Sequence, residues 1–242
     1  TNRRVSQSDG IRMFEVGKVF MPREEARERE LPDEREILIG VLSGPRFPTS
    51  WTAPQGDLGF FDGKGVLEGM FSSLGVQVAF ERYTEDSVLE AGKTARIVCN
   101  GTVIGVVGEV TASVLANFDL EGSTVAMFEV DLESLIQVSP EVVRKYRGTS
   151  RFPESYRDIA LTVDEGATSA QIEAIINRNR LVVRSVVFDV YSGEGVADGK
   201  KSVAYRLVFQ SDKDTLTSKQ VDKSQGDILR QLERELGAEL RG

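Results

Sequence analysis

Histidine is absent from the 242 residues, and cysteine occurs once, as Cys99. Triads and dyads that activate a nucleophile through an imidazole cannot be built, and neither can an intrachain disulfide or an ordinary zinc site. Long hydrophobic runs are missing too. No segment approaches the roughly 20 apolar residues of a membrane-spanning helix, and Thr1-Asn2-Arg3-Arg4 lacks the apolar stretch of a signal peptide. A soluble, cytoplasmic protein with no membrane partner is the expectation. Positive charge is also in deficit: 30 Lys and Arg stand against 38 Asp and Glu, a net charge of −8. Affinity for nucleic acid draws on cations that release counterions from phosphates, so the average argues against a general binder, and no DNA partner is expected. The deficit is uneven. Residues 1–150 carry 16 basic and 23 acidic side chains, whereas residues 151–242 carry 14 and 15. The tail is therefore nearly neutral, able to hold RNA locally without being an electrostatic sponge for it.

A chain of this length is expected to form two hydrophobic cores, since single cores cover roughly 100 to 200 residues. Residues 12–20 have strand composition, and the charged run 23–36 reads as a solvated loop or frayed helix end. Ile37 to Leu42 is a continuous apolar strand, followed by a Gly/Pro-rich loop over 44–59. Val66, Leu67, Met70, Phe71 and Leu74 mark one face of a helix that opens near Asp62 and stops at Gly75. A strand over 76–83 follows, then a hairpin over 94–110 whose Asn100-Gly101 pair suits a type I′ turn. A short helix capped by Thr111, a strand over 124–130 and a helical turn opened by Asp131 complete this part. The apolar periodicity breaks between Val138 and Ser150. Residues 141–149 are read as a linker between a first domain, 1–140, and a second, 150–242.

In the second domain Ile159, Leu161 and Val163 alternate with polar or small residues as a half-buried strand, and residues 170–179 form a helix with Ile172, Ile175 and Ile176 on one side. A strand over 181–191, a Gly-rich turn over 193–199 and a strand over 200–210 come next. Thr217 then opens a helix striped by Val221, Ile228, Leu229, Leu232 and Leu236, and Gly237 ends it before a short closing strand. The order β-α-β-β-α-β is the ferredoxin-like arrangement, with two helices on one sheet face and the other face open, so the fold class is α+β. Alternation assigns side chains to faces. Burial of Ile159, Leu161 and Val163, of Val186, Phe188 and Val190, and of Val203, Tyr205, Leu207 and Phe209 leaves Asp158, Ala160, Thr162, Asp189, Tyr191, Ser202, Ala204 and Arg206 looking outward. An exposed tyrosine can stack an unpaired base while a carboxylate and a serine address its edge. A merely solvated sheet face has the same composition, and on the residues alone it is the commoner case.

The motifs Ser150-Arg151-Phe152-Pro153-Glu154-Ser155-Tyr156-Arg157-Asp158, Phe188-Asp189-Val190-Tyr191, Gly193-Glu194-Gly195, Gly199-Lys200-Lys201-Ser202-Val203-Ala204-Tyr205-Arg206-Leu207 and Gly237-Ala238-Glu239-Leu240-Arg241 resemble, in order, the ferredoxin-fold anticodon-binding domain that closes the β subunit of bacterial phenylalanine–tRNA ligase. Several ordered motifs over some ninety residues make this specific. Residues 12–20, Phe60-Phe61-Asp62-Gly63-Lys64-Gly65 and Ile104-Gly105-Val106-Val107-Gly108-Glu109-Val110 are similar to the same subunit's catalytic-like domain, a partial class II synthetase-like antiparallel sheet. The family's β subunit is several times longer, so the chain looks like its C-terminal part with a truncated first domain. Two family histidines are replaced: Glu90-Ala91-Gly92-Lys93-Thr94-Ala95 stands for His-Pro-Gly-Arg-Ser-Ala, and Thr111-Ala112 for His-Pro.

The resemblance implies a non-catalytic piece that docks the α subunit and binds the tRNA(Phe) anticodon, while ATP and magnesium serve the complete enzyme on the α subunit. By position, Asp189 and Ser202 would read the first anticodon base and Tyr191 would stack on it. Ala160, Arg206 and Arg241 are weaker candidates at the flank and edge. No catalytic or metal-binding residue is expected. An active class II site needs arginines to offset charge on phosphorus, yet the matching segments are Phe14-Glu15-Val16-Gly17 and Gly105-Val106-Val107-Gly108-Glu109. Gly105 and Gly108 read as close backbone contacts rather than as a phosphate loop. Glu109, Glu129 and Asp131 lack metal-ligand spacing and read as solvated charges, and Cys99 as a buried inert thiol. The rival from another class is a small-molecule-sensing or homo-oligomerisation module, since ferredoxin-like domains host many functions.

Overall fold

Alternating apolar residues build two separate sheets, each backed by helices on one side. A computed structural model describes residues 10–21, 31–53, 55–139 and 150–241, and the chain divides into two units, Thr1–Lys145 and Tyr146–Gly242. The expected linker at 141–149 and Pro54 lie outside the described residues, as does most of the expected charged loop.

In the first unit, six strands are described: β1 (Ile11–Met21), β2 (Asp33–Ser43), β3 (Ala79–Arg82), β4 (Leu89–Cys99), β5 (Thr102–Val110) and β6 (Val125–Asp131). They form an antiparallel sheet in the order β1-β2-β6-β5-β4-β3. Helices α1 (Phe60–Leu74), α2 (Ala112–Ala116) and α3 (Leu132–Val138) accompany it. Leu38, Leu42, Ile97, Ile104, Val107 and Phe128 from the strands meet Leu67 and Phe71 of α1 in one core. The stripe on α1 is narrower than expected. Gly63, Leu67 and Phe71 are its buried residues, while Val66 and Leu74 stay about half exposed. The strand expected over 76–83 shortens to β3, and Asp33–Glu36 belongs to β2 rather than to a loop, held there by pairing with β1. Asn100 and Gly101 adopt positive φ at the β4–β5 turn, as its type I′ chemistry demands.

The second unit runs β7 (Ser155–Asp164), α4 (Ser169–Ile176), β8 (Val182–Tyr191), β9 (Lys200–Phe209), α5 (Ser218–Leu236) and β10 (Glu239–Leu240). Its sheet order is β10-β7-β9-β8, antiparallel throughout, which is the ferredoxin-like order. Thr168 with Gln171, and Thr217 with Gln220, close reciprocal capping boxes at the two helix starts. Each satisfies orphan backbone donors and contributes about 1 kcal/mol. Ile172, Ile175 and Ile176 of α4 and Val221, Ile228 and Leu232 of α5 bury against Ile159, Leu161, Val163, Val203, Tyr205, Leu207 and Phe209. The helices thus take one face of the sheet and leave the other to solvent.

Candidate nucleic-acid interface

Register across the sheet fixes which side chains share the uncovered face. Directly opposed residues on antiparallel strands point the same way, so pairing of β7 and β8 with β9 lays the face out in rows. The rows are Thr162–Ser202–Tyr191, Ala160–Ala204–Asp189, Asp158–Arg206–Val186 and Tyr156–Val208–Arg184. Neighbouring rows lie two residues apart along a strand, or about 7 Å. Glu239 of β10 extends the first row beyond Thr162.

Two expectations about β8 are corrected by this register. Val186 and Phe188 were expected under the helices, but both are exposed, and Val187 packs against the helix-side core instead. The cause is a pair of irregularities, between Val182 and Arg184 and between Val187 and Asp189, each of which puts an extra residue into β8. A bulge shifts the two-residue alternation by one, so the expected phase is inverted between the two irregularities; beyond them Val190 pairs with core-facing Val203, yet it is 58% exposed where burial was expected. Asp189 and Tyr191 keep the open orientation. The face is accordingly more aromatic than the sequence suggested, because Phe188, 55% exposed, and Tyr156 join Tyr191 there. Tyr156 shares parity with Asp158 and Ala160 and is legible by the same count; the bulge at Phe188 has no comparable signal.

At the Tyr191 end, five of the six expected residues come together. Tyr191 is 41% exposed, and its hydroxyl donates to the Glu194 carbonyl at 3.2 Å, laying the ring toward the following turn. A Cβ on Gly193 would fall 2.8 Å from that hydroxyl, which is why a residue without one suits the turn. The Arg241 guanidinium lies 5.9 Å from the ring centroid, and the Arg241 amide donates to the Ala160 carbonyl at 2.8 Å. Ser202 sits directly opposite Tyr191 but is only 7% exposed, so it belongs to the floor of the face with Ala204 rather than to its rim. Asp189 is exposed, and among the described residues its carboxylate has no hydrogen bond or ion pair. An aromatic plate, an unengaged acceptor on the same strand and a hydroxyl opposite are the groups that a flipped-out base needs.

Arg206 behaves differently. Its guanidinium makes a bidentate pair with Asp158, at 2.8 and 2.7 Å, and lies 5.6 Å from the Phe188 ring centroid. The hydrogen bonds from Arg206 hold the Asp158 carboxyl below the usual carboxylate range. Arg206 is thus already engaged, unlike Arg241. Under the sheet, burial pushes the Tyr205 phenol up to about 12, while its hydroxyl meets that of Ser169 at 3.0 Å.

Of the three acidic residues read as solvated charges in the first unit, Glu129 is exposed, whereas Asp131 and Glu109 have structural partners. Asp131 caps α3 by accepting from the Ser134 amide at 2.9 Å and faces Arg35 at 3.4 Å. Glu109 accepts the Phe60 amide at 3.0 Å and pairs with Lys93 at 2.5 Å. Cys99 is buried. A Cβ at Gly105 would meet the Glu129 carbonyl at 2.1 Å, and one at Gly108 the Thr94 hydroxyl at 2.7 Å. These glycines admit neighbouring backbone and side chain, as expected, and their strand setting does not fit an ATP phosphate cradle.

Two family models match the chain: the phenylalanyl tRNA synthetase beta chain CLM domain over residues 1–132, and the ferredoxin-fold anticodon binding domain over residues 150–241. The phenylalanine–tRNA ligase beta subunit of Dehalococcoides mccartyi (strain CBDB1) is 36% identical over 240 residues, covering 99% of this chain and 29% of that protein. That of Clostridium acetobutylicum is 38% identical over 234 residues, covering 95% of this chain and 27% of that protein. A solved pyrrolysyl tRNA synthetase from Desulfitobacterium hafniense aligns at TM-score 0.37 with 18% identity, over 57% of this chain and 44% of that one. The chain therefore spans less than a third of the length of these curated relatives.

Proposed function

The chain belongs to the family of phenylalanyl tRNA synthetase beta chains, and from that premise we propose that it is a non-catalytic part of a phenylalanine–tRNA ligase whose second unit holds the tRNA(Phe) anticodon. The observation that carries the reading is the Tyr191 end of the open face. A half-exposed ring, an unengaged Asp189 carboxylate and the Ser202 hydroxyl stand on adjacent register positions, with Arg241 beside the ring. The first anticodon base stacks on Tyr191, and Asp189 accepts from the N–H groups on its Watson–Crick edge. Guanine offers such donors, whereas adenine presents a different pattern there.

The first unit serves as a docking platform for the α subunit. Support comes from β1, which ends the sheet and leaves Met13, Phe14, Val16 and Phe20 exposed, Phe14 by 77%. An edge strand with bare apolar side chains is an aggregation hazard unless a partner covers it. ATP and magnesium serve the complete cytoplasmic enzyme at a site on the α subunit. Among the described residues no helix is long and apolar enough to cross a membrane.

Binding of anticodon stem-loops carrying guanine or adenine at the first anticodon position tests the reading. Asp189→Ala is expected to bring the two affinities together, chiefly by weakening the guanine form. An equal loss for both bases would overturn direct readout by Asp189.

A further inference from the structure

On the open face Arg206 is committed to Asp158, which leaves Arg184 and Arg241 as the arginines there that the described residues do not pair. Any RNA lying on it still brings phosphates whose charge must be met. On the helix side of the same unit, a groove of about 460 Å³ is lined by Arg178, Arg180, Arg230 and Arg234, with Asp227 as its only acidic lining residue. The first two leave the end of α4 and lead into β8, while the other two stand one turn apart on α5. A unit whose overall charge is almost balanced has thus gathered four of its arginines in one concavity.

The internal ion pairs show which of these charges remain available. Both carboxylate oxygens of Glu235 accept from one terminal nitrogen of Arg178, at 2.8 and 2.9 Å, and Arg234 makes a longer contact at 3.5 Å. Asp227 is taken by Arg230. Four guanidinium groups therefore face two carboxylates, and among the described residues Arg180 has no ion-pair partner at all. The Arg178–Glu235 pair pins the end of α4 to α5 and so holds the groove in shape. Asn179 and Gln231 add neutral donors to the lining.

We propose that this groove binds the phosphodiester backbone of the same RNA whose anticodon lies on the open face. Planar guanidinium forks match phosphate oxygens two at a time, and every cation in the lining is an arginine rather than a lysine. The placement fits one continuous ligand. β8 is the edge strand of the sheet and carries Asp189 and Tyr191, so RNA leaving the face over that edge heads toward the segment containing Arg180. From Val182, two residues after Arg180, to Asp189 the strand spans at most roughly 23 Å at about 3.3 Å per residue. The groove thus grips without sequence preference, and the face reads. This rests on the anticodon reading above.

The test uses the whole 242-residue chain and the tRNA(Phe) anticodon stem-loop, titrated between 50 and 200 mM salt, with Arg180→Gln alone and combined with Arg234→Gln. Both side chains are exposed or without a bidentate partner, so the fold should persist, and thermal melts check that it does. The expected result is a several-fold weaker complex at low salt, and a log–log salt slope shallower by roughly 0.7 for each phosphate that the variant no longer neutralises. The guanine preference set by Asp189 should stay intact. Unchanged affinity and slope, with the unaltered chain still binding, would overturn the groove proposal and leave the anticodon reading standing. No binding by the unaltered chain would sink both. If a poly-glutamate peptide binds in an Arg180-dependent way while RNA binding ignores the variant, the groove is a protein-docking site and the proposal fails.

Discussion

Around Arg206 the open face has its charges closed on each other, with Asp158 clasping the guanidinium and Phe188 beside it, whereas around Ser202 an aromatic ring, a carboxylate and a C-terminal arginine stand without such closure. The two ends share one sheet, the same three strands and similar side-chain chemistry. What separates them is which partners the register sets opposite each other. Asp158 and Arg206 are opposed on neighbouring strands and neutralise each other, while Asp189 is opposed by Ala204 and among the described residues has no ion pair. A ligand at the first end must break a formed pair; at the second it meets an exposed carboxylate that the described residues leave unpaired.

The comparison is broken most directly by truncating each ring. Tyr191→Ala is expected to cost the anticodon stem-loop complex about 1–3 kcal/mol, the worth of one stacked base, while Phe188→Ala leaves affinity within about 0.5 kcal/mol. Isothermal titration of both variants decides it, and a larger loss at Phe188 would move the reading site to the other end. Gly193→Ala gives a smaller effect. The new Cβ, 2.8 Å from the Tyr191 hydroxyl and 3.0 Å from the ring carbon that carries it, obliges the tip of the ring to shift. Affinity should fall roughly twofold to fivefold, less than 1 kcal/mol, with the melting temperature almost unchanged. Equal affinity would mean that the ring's pose is immaterial.

The smallest effect concerns the closed end. Hydrogen bonds from Arg206 lower the Asp158 pKa in the folded state. The resulting stability is present above the unfolded value near pH 4 and is lost as pH falls through the lower folded value. Asp158→Asn should therefore show a slightly reduced urea midpoint at pH 7 and no difference below that window. The pair is solvent-screened, so the change is slight. A difference that persists at pH 2 would show that Asp158 acts through something other than this charge pair.

Much of this contrast was readable in the residues. The alternation of Ile159, Leu161 and Val163 and of Val203, Tyr205, Leu207 and Phe209 predicted both buried sets, because strands pressed by helices on one side have little freedom in phase. Thr168 and Thr217, each followed three residues later by glutamine, mark the helix starts. Strand β8 misled because bulges carry no composition of their own, so one uninterrupted count placed Val186 and Phe188 on the wrong side. The engagement of Arg206 and the depth of Ser202 depend on what lies across the sheet, which spacing along one strand cannot reveal. The arginine groove is not legible along the chain for a related reason: its two halves lie about fifty residues apart.

The amide of Arg241, anchored on the Ala160 carbonyl, brings the closing strand β10 alongside the reading face, with Glu239 in the same row as Tyr191. That neighbourhood makes β10 a natural place for an optical probe. Since Cys99 is the sole thiol in the sequence and is buried, a cysteine introduced at exposed Glu239 would be labelled selectively, and its dye would report each base arriving on the face. The same closeness is a warning for handling the protein. A bulky affinity handle fused just after Arg241 would sit beside the surface whose occupancy it is meant to help measure.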